Sequence, residues 1–154
     1  MGGGRGPGTL ASIMARELEQ NVFPRIREIT DPFGLRLRVS VEPHPGGALV
    51  ALERPDITQR PRILLDGYGA ELLAGFIMAA RLALPHALPE EQFDGPFAAR
   101  FALRQSPEAC IAISQPEAAP FDIPAPFWDK LYAELCLVVA HARELGRRRE
   151  ARVH

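Results

Sequence analysis

The residues best suited to catalysis or metal binding are four histidines, and their spacing matches no established site. None of them pairs with another histidine, a cysteine or a carboxylate in a metal-binding pattern such as HExxH. His141 stands seven residues after Glu134 and three before Glu144, so one helical face can hold a histidine and a carboxylate together. The sequence therefore predicts no metal and no cofactor. It leaves open an enzyme with an unrecognised site at His141 or Glu71.

The two cysteines, Cys110 and Cys136, lie in otherwise apolar runs. A cysteine in such a run is usually a small buried hydrophobic side chain, whereas a reactive thiol needs partial exposure and a favourable charge nearby. Two lone cysteines are also compatible with a reducing compartment. We therefore expect a cytoplasmic protein in which neither thiol is a nucleophile.

The stretch Gly67-Tyr68-Gly69 follows an apolar run and opens a helical pattern, which is the setting of a dinucleotide-binding turn. That fingerprint then fails, because Leu72 stands where the third glycine belongs. The acidic residue expected about 20 residues further on is also missing near His86. The sequence therefore favours glycines that relax the backbone at a strand-to-helix corner.

Arginines provide the most distinctive surface. In the two segments that alternate most clearly, Arg36 and Arg38 have the opposite parity from the apolar residues, and so do Arg100 and Arg104. If these strands lie side by side, the four side chains form a cationic sheet face that can bind an anionic ligand, nucleic acid or an acidic protein.

Two observations weaken the nucleic-acid interpretation of that face. Phe97 and Phe101 have the parity opposite to that of the arginines, so no aromatic platform is available for stacking bases. Glu42 and Glu53 can neutralise neighbouring arginines. Nucleic acid is therefore disfavoured, and a solvated face with cross-strand ion pairs is the simpler alternative.

The elements that must position these residues are short strands joined by turns. Residues 35–42 alternate strictly, HPGG then turns the chain into ALVALE, and RILL reads as a third strand. Residues 97–104 alternate again, and SPEA leads into CIAIS at residues 110–114. PEEQFDGP reads as a loop. APFDIPAP allows only a short edge strand, because proline cannot donate to an interior ladder.

Three helices complete the prediction. Apolar residues recur every three or four positions from Thr9 to Ile29, with Pro24 as a kink or as the start of a second short helix. The second helix follows Asp66. The third begins near Pro126 and ends around Gly146.

The second helix has no charged outer face. Leu72, Leu73, Phe76 and Ile77 cover one broad side. The other side carries small or flexible residues: Ala70, Ala74, Gly75, Met78 and Ala79. A side exposed to solvent normally carries Lys, Glu or Gln, so this composition predicts close packing against another helix. The partner is either the last helix of the same chain or the same helix of a second subunit.

A membrane span is disfavoured for this helix, because the uninterrupted apolar run covers only residues 72–80, between Glu71 and Arg81. The 154 residues and the net charge of -1 suit a single soluble domain. We expect residues 1–8 to be a disordered N-terminus, residues 9–147 to form one domain, and residues 148–154 to be a basic tail. Lys130 is the only lysine among 18 basic residues, a bias typical of a high-GC bacterial genome.

The sequence also hints at an internal repeat. DGYGAELLAGFIMAA and DKLYAELCLVVAHA align at a spacing of 63 residues, which matches Asp66 with Asp129 and Ala70 with Ala133. Alanine-rich sequences produce such matches easily, so a true duplication stays one of two possibilities.

The predicted fold is α+β, with an antiparallel sheet of about five strands and three helices in the order αβββαββα, the helices mainly on one face. Over residues 10–146 this order resembles that of type III secretion chaperones of the CesT kind. The resemblance implies a non-enzymatic, dimeric protein-interaction module, chaperone-like or adaptor-like. The alternatives are anionic-ligand or nucleic-acid binding through the arginine face, and an enzyme with an unrecognised site.

Overall fold

The computed structural model describes residues 26–45 and 47–153, with side chains of the last helix described up to residue 144 and at residue 147. Its elements follow the order ββββα twice, and each group of four strands forms its own antiparallel sheet. The α+β class is therefore confirmed. The predicted strand count is wrong, because the structure has eight strands where about five were expected, and the described residues contain two α-helices. Residues 9–25 of the predicted first helix fall outside it.

The first sheet, sheet A, is a meander in which each strand pairs with the next. Its strands are β1 (Ile26–Thr30), β2 (Arg36–His44), β3 (Gly47–Glu53) and β4 (Arg62–Leu65). The alternation predicted for residues 35–42 is confirmed, since Leu37, Val39 and Val41 are buried. The hairpin between β2 and β3 is also confirmed, with His44 opposite Gly47.

The assignment of Ile26 and Ile29 to a helical stripe is wrong, because both lie in β1. A tight turn explains this outcome. The Asp31 carboxylate accepts hydrogen bonds from the backbone N–H groups of Phe33 and Leu35, at 2.9 and 2.7 Å. Gly34 adopts a φ of +86°, which suits glycine. The turn places Thr30 opposite Arg36, so strand pairing overrides the helical spacing at the C-terminal end of the predicted stripe.

The first helix, α1 (Gly67–Ala83), begins after Asp66, whose side chain accepts a hydrogen bond from the Gly69 N–H. Gly69 is buried, and a Cβ there would lie 2.8 Å from the Phe93 ring. The glycine is therefore required by close packing at the strand-to-helix corner. The preceding strand β4 pairs antiparallel with β3, unlike the parallel strands of a dinucleotide-binding unit.

The second sheet, sheet B, repeats the meander. Its strands are β5 (Glu91–Phe93), β6 (Ala99–Arg104), β7 (Cys110–Ser114) and β8 (Phe121–Pro124). The interpretation of PEEQFDGP as a loop is wrong at β5, because Phe93 buries its ring 5.6 Å from that of Phe101. The expected short edge strand is confirmed in β8, which pairs only with β7.

The last helix, α2 (Trp128–Val153), follows a 3-10 turn at Ala125–Phe127. Trp128 anchors its start, because the indole N–H donates to the Ile123 carbonyl at 2.8 Å. The expected end near Gly146 is wrong, since the helix continues to Val153. A single interior glycine costs a helix about 1 kcal/mol and does not by itself stop it.

One hydrophobic core joins both halves of the chain. Helix α2, from the second half, packs on β2 and β3 of the first sheet. Helix α1 contacts β3 and β4 of sheet A, β6 of sheet B, and α2. The expectation that the helices cover mainly one face of one sheet is therefore wrong, because α1 is shared between the two sheets.

The two halves repeat the same topology, although not at the residue alignment suggested by the sequence. A spacing of 63 residues matches Ala70, which is fully buried, with Ala133, which is exposed. A shift of one residue instead matches Leu73 with Leu135, both fully buried. The repeat therefore lies in the order of elements and in the apolar face of each helix.

Candidate interaction surfaces

The four arginines of the predicted cationic face lie on two different sheets. Arg36 and Arg38 are on β2 of sheet A, whereas Arg100 and Arg104 are on β6 of sheet B. Within the described strands, the two sheets share no ladder. The structure therefore brings these arginines together in pairs and not as one group of four.

Each pair of arginines is already opposed by carboxylates. The Nη2 atoms of Arg38 and Arg36 lie 2.8 and 2.7 Å from Oε1 of Glu28 on β1, and these hydrogen bonds hold the pKa of Glu28 below its usual range. Arg104 pairs with Asp122 on β8, which raises the pKa of the arginine. Much of the positive charge of these arginines is therefore offset within the chain.

Most of the exposed large hydrophobic side chains in the described part of the chain lie on the two helices. The ion pair between Glu71 and Arg143 joins the start of α1 to the later part of α2. The ion pair between Arg81 and Asp129 joins the end of α1 to the start of α2. The helices therefore run antiparallel. They lie side by side, so their solvent-facing sides form one continuous surface.

The predicted small side of α1 is divided by this arrangement. Ala70 and Ala74 are buried, Ala79 is half-buried, and Gly75 and Met78 are exposed. The structure thus places α1 against the last helix of its own chain and leaves a narrow stripe of the same helix open.

Four of the six exposed large hydrophobic side chains in the described part of the chain lie on the two helices. They are Tyr68, Met78 and Leu82 of α1 and Leu137 of α2. Leu82 and Leu137 are 79% and 48% exposed, respectively. Ala133, Cys136 and Ala140 of α2 are also exposed. We call this outer side of α1 and α2 the helix surface.

A depression of about 280 Å³ borders the helix surface, at the start of α1. Tyr68, Glu71 and Arg143 supply its polar groups, and Ala48, Val139 and Ala142 supply apolar lining. Glu71 is engaged by Arg143, so this carboxylate acts as half of an ion pair that links the two helices. His141 is half-buried on α2 and does not line the depression.

A second depression, of about 320 Å³, lies between β5, β6 and the end of β7. Arg100 and Gln92 line it from sheet B, and Gln115 closes it. The Gln115 amide accepts from the Leu64 N–H at 3.1 Å and donates to the Leu64 carbonyl at 2.5 Å. Gln115 therefore serves as a bridge between β4 of sheet A and sheet B, and its hydrogen-bonding groups are engaged.

The cysteines differ from their predicted role in one respect. Cys110 is half-buried, and burial raises the pKa of its thiol, which reduces its nucleophilicity at neutral pH. Cys136 is exposed on α2, so its assignment as a buried residue is wrong. The pKa of Tyr132, one turn earlier, is raised by a side-chain hydrogen bond in which the tyrosine hydroxyl donates to Cys136. Among residues 26–45 and 47–153, no group of His, Cys, Asp and Glu is placed to hold a metal ion.

Sequence reasoning missed Arg54, the residue that most directly ties the two halves together. The residue is 4% exposed, and its guanidinium donates to the carbonyls of Arg36 and Asp122 and to both carboxylate oxygens of Asp56. It also lies 5.3 Å from the centre of the Phe127 ring. The only sequence signal is the R-P-D turn at the end of β3, where an aspartate follows the arginine at two residues' distance.

No helix in the described ranges has the length and apolar character needed to cross a bilayer. The chain matches no protein-family model, and comparison with curated proteins finds no significant match.

Proposed function

We propose that the chain is a non-enzymatic protein-interaction module of the cytoplasm, that it acts as a homodimer, and that its role is chaperone-like or adaptor-like. The observation that carries the proposal is the helix surface. Large apolar side chains that stay exposed on one contiguous side of a soluble fold are typical of a protein-binding site. Tyr68 and Leu137 are the aromatic and aliphatic groups best suited to anchor such a contact.

The charged residues support association more than catalysis. Glu71 and Asp129 are each engaged with an arginine of the other helix, and α1 packs directly against α2. A rigid apolar surface loses little conformational entropy when it binds, and this favours affinity.

The test compares two double variants that make the same chemical change at different places. Met78→Lys with Leu137→Lys puts a cation on both helices of the helix surface. Ile26→Lys with Phe33→Lys replaces exposed apolar residues on the β1 side of sheet A. All four positions are exposed, so both proteins should fold, which circular dichroism checks.

Light scattering coupled to size-exclusion chromatography then measures the mass. We expect a dimer of the 16.9 kDa chain for the native protein and the sheet variant, and a monomer for the helix variant. A native protein that stays monomeric up to high micromolar concentration would refute the dimer. A dimer lost only in the sheet variant would move the interface away from the helices.

Binding of an anionic ligand is the alternative proposal. It predicts salt-dependent binding of heparin or RNA that is lost when Arg36 and Arg38, or Arg100 and Arg104, are replaced by glutamine. The opposing carboxylates of Glu28 and Asp122 make this the weaker of the two proposals. Binding at low salt by the native protein would reverse that ranking.

A further inference from the structure

We propose that the depression between β5, β6 and the end of β7 binds a carboxylate ligand, and that Gln92, Arg100 and Ser114 hold it. The carboxylate belongs either to a small organic acid or to the C-terminus of a peptide. This inference does not depend on the homodimer. It also differs from the binding of heparin or RNA, because a single arginine and a single carboxylate suffice.

The first half of the chain supplies the comparison that identifies this site, because the strand registers of the two sheets align residue by residue. Eight buried side chains occupy matching positions on the first three strands of the two sheets. In sheet A they are Ile29, Leu37, Val39 and Leu52, and in sheet B, in the same order, they are Phe93, Ala99, Phe101 and Ile113.

The residue that follows the third strand of each half supports the same alignment. Arg54 follows β3 and donates to the Asp122 carbonyl of β8 at 3.1 Å. Gln115 follows β7 and accepts from the Leu64 N–H of β4 at 3.1 Å. Each side chain thus bonds the backbone of the fourth strand of the other half. Reciprocal contacts of this kind are those of a two-fold interface, so the halves are related by an approximate two-fold axis.

In sheet A, the solvent-facing row next to these buried side chains is an arginine between two carboxylates. Arg38 lies opposite Glu28 on β1 and opposite Glu53 on β3. Its Nη2 atom is 2.8 Å from Oε1 of Glu28, and its Nη1 atom is 4.0 Å from Oε1 of Glu53. The first half therefore supplies carboxylates to its own arginine.

In sheet B, the same row keeps the arginine and replaces both carboxylates. Arg100 lies opposite Gln92 on β5 and opposite Ser114 on β7. Within the described part of the chain, Arg100 forms one ion pair, in which Nε is 3.7 Å from Oε2 of Glu90. That contact is longer than a hydrogen bond and does not involve the Nη groups. The second half therefore leaves its arginine with neutral cross-strand neighbours.

The three side chains of this row line the same depression, of about 320 Å³. All three are exposed, and the guanidinium, the amide and the hydroxyl all carry hydrogen-bond donors. A planar guanidinium can hold a carboxylate through two parallel hydrogen bonds. One cation with two neutral donors matches the single negative charge of a carboxylate better than the larger charge of a phosphate.

The remaining lining of the depression limits the ligand further. Phe93, Ala98, Ala99 and Pro116 supply apolar contacts, so an acid with a small apolar group beside the carboxylate fits best. The volume lies at the lower end of the range for ligand sites, which suits a small acid or the last residue of a peptide. Gln115 also lines the depression, but its amide is engaged by Leu64.

The test follows the backbone amide signals of the ¹⁵N-labelled protein by NMR, at constant pH and ionic strength. N-acetyl-leucine is the first probe, and N-acetyl-leucinamide is its uncharged counterpart. We expect the acid to shift the signals of Gln92, Arg100 and Ser114 with a dissociation constant of about 1 mM, and the amide to leave them unchanged.

A second pair of probes distinguishes the two sources of the carboxylate. It consists of a six-residue peptide that ends in leucine, with either a free or an amidated C-terminus. Tighter binding of the free peptide than of N-acetyl-leucine would support the proposal with a peptide C-terminus as the ligand. Equal affinities would support it with a small acid as the ligand.

Three variants locate the site. Arg100→Gln should weaken binding of the acid about 10-fold or more. Arg38→Gln is the matched control, since it removes the same charge at the equivalent position of sheet A and should leave binding unchanged. Gln92→Glu gives sheet B the carboxylate that Glu28 supplies in sheet A, so it should weaken binding as Arg100→Gln does. Circular dichroism checks that each variant folds.

Three results would overturn the proposal. The first is the absence of shifts with both free carboxylates at about 20 mM, a concentration that would saturate a site of the expected affinity. The second is equal binding of the acid and its amide. The third is an equal loss of affinity in Arg100→Gln and Arg38→Gln, which would indicate attraction to the overall charge of the protein.

Discussion

Replacement of Arg54 by methionine should destabilise the fold more than any change to an exposed arginine. The guanidinium forms two hydrogen bonds with the Asp56 carboxylate, at 3.0 and 2.8 Å, and two with backbone carbonyls, at 3.0 and 3.1 Å. The Arg54 and Asp56 side chains are only 5% and 12% exposed. Methionine keeps much of the apolar length and removes every one of these hydrogen bonds.

The magnitude follows from what the substitution leaves behind. Removal of one partner from a buried ion pair costs about 3–5 kcal/mol, because the other charge loses its compensation. Asp56 retains some contact with water, so we expect the low end of that range, about 3 kcal/mol. For a chain of this size, about 3 kcal/mol corresponds to a fall of roughly 6–12 °C in Tm.

The dependence on pH gives a second, independent signature. The hydrogen bonds from Arg54 hold the pKa of Asp56 below its ordinary value of 3.8. Because the pKa of Asp56 is lower in the folded state, the Arg54–Asp56 pair stabilises the protein fully at every pH above the ordinary pKa of an aspartate. That stabilisation is lost as the pH falls through the lowered value. The difference in the free energy of unfolding between native protein and variant should therefore shrink below about pH 4.

Urea unfolding at pH 7 and pH 3, followed by tryptophan fluorescence, measures both effects. Arg62→Met is the matched control, because Arg62 is an exposed arginine on β4 that pairs with Glu42, and its loss should cost less than about 1 kcal/mol. The reasoning fails if Arg54→Met costs no more than the control. It also fails if the cost is the same at both pH values.

Further predictions concern four single positions. Gly75→Ala should stabilise the protein by about 1 kcal/mol in thermal unfolding, because a Cβ there contacts nothing within 4 Å; Gly69→Ala should instead destabilise it by about 1–3 kcal/mol, because its Cβ would overlap a buried phenyl ring. Gln115→Leu should cost about 1–3 kcal/mol in urea unfolding, because it leaves the N–H and carbonyl of Leu64 without their hydrogen-bond partners. Gln115→Asn should be destabilised as well, because its shorter side chain does not reach the Leu64 backbone. Trp128→Phe should cost a similar amount, since its indole N–H bonds a carbonyl of β8; a neutral result in urea unfolding monitored by far-ultraviolet circular dichroism would contradict that role.

The parts of the fold that the sequence predicted well are those whose pattern repeats over several residues. The strict alternation of residues 35–42 and the apolar stripes of both helices identify β2, α1 and α2 correctly. The segments predicted wrongly are short. Ile26–Thr30 and Glu91–Phe93 have five and three residues, too few to separate a period of two from a period of 3.6, and their partner strands decide their conformation.

The surfaces were harder to predict than the strands, because a sequence shows which residues share a face but not which faces meet. The parity of Arg36 and Arg100 predicted that both point away from the apolar side of their strands. It carried no information about whether β2 and β6 belong to the same sheet, and they do not. The role of Arg54 was equally hidden, since its carbonyl partner on Asp122 lies 68 residues away.

The position of α1 changes where a second subunit should be sought. A helix with small residues opposite its core side needs a neighbouring helix, and α2 of the same chain packs against α1, where Ala70 and Ala74 are buried. The outer side of α2 remains open, and Leu137 lies exposed on it. Because α2 belongs to the second half and packs on the sheet of the first, a partner bound there would contact the element that holds both halves together. Association and folding should therefore be coupled, and the Tm of the native protein should rise with its concentration, while that of Leu137→Lys should not.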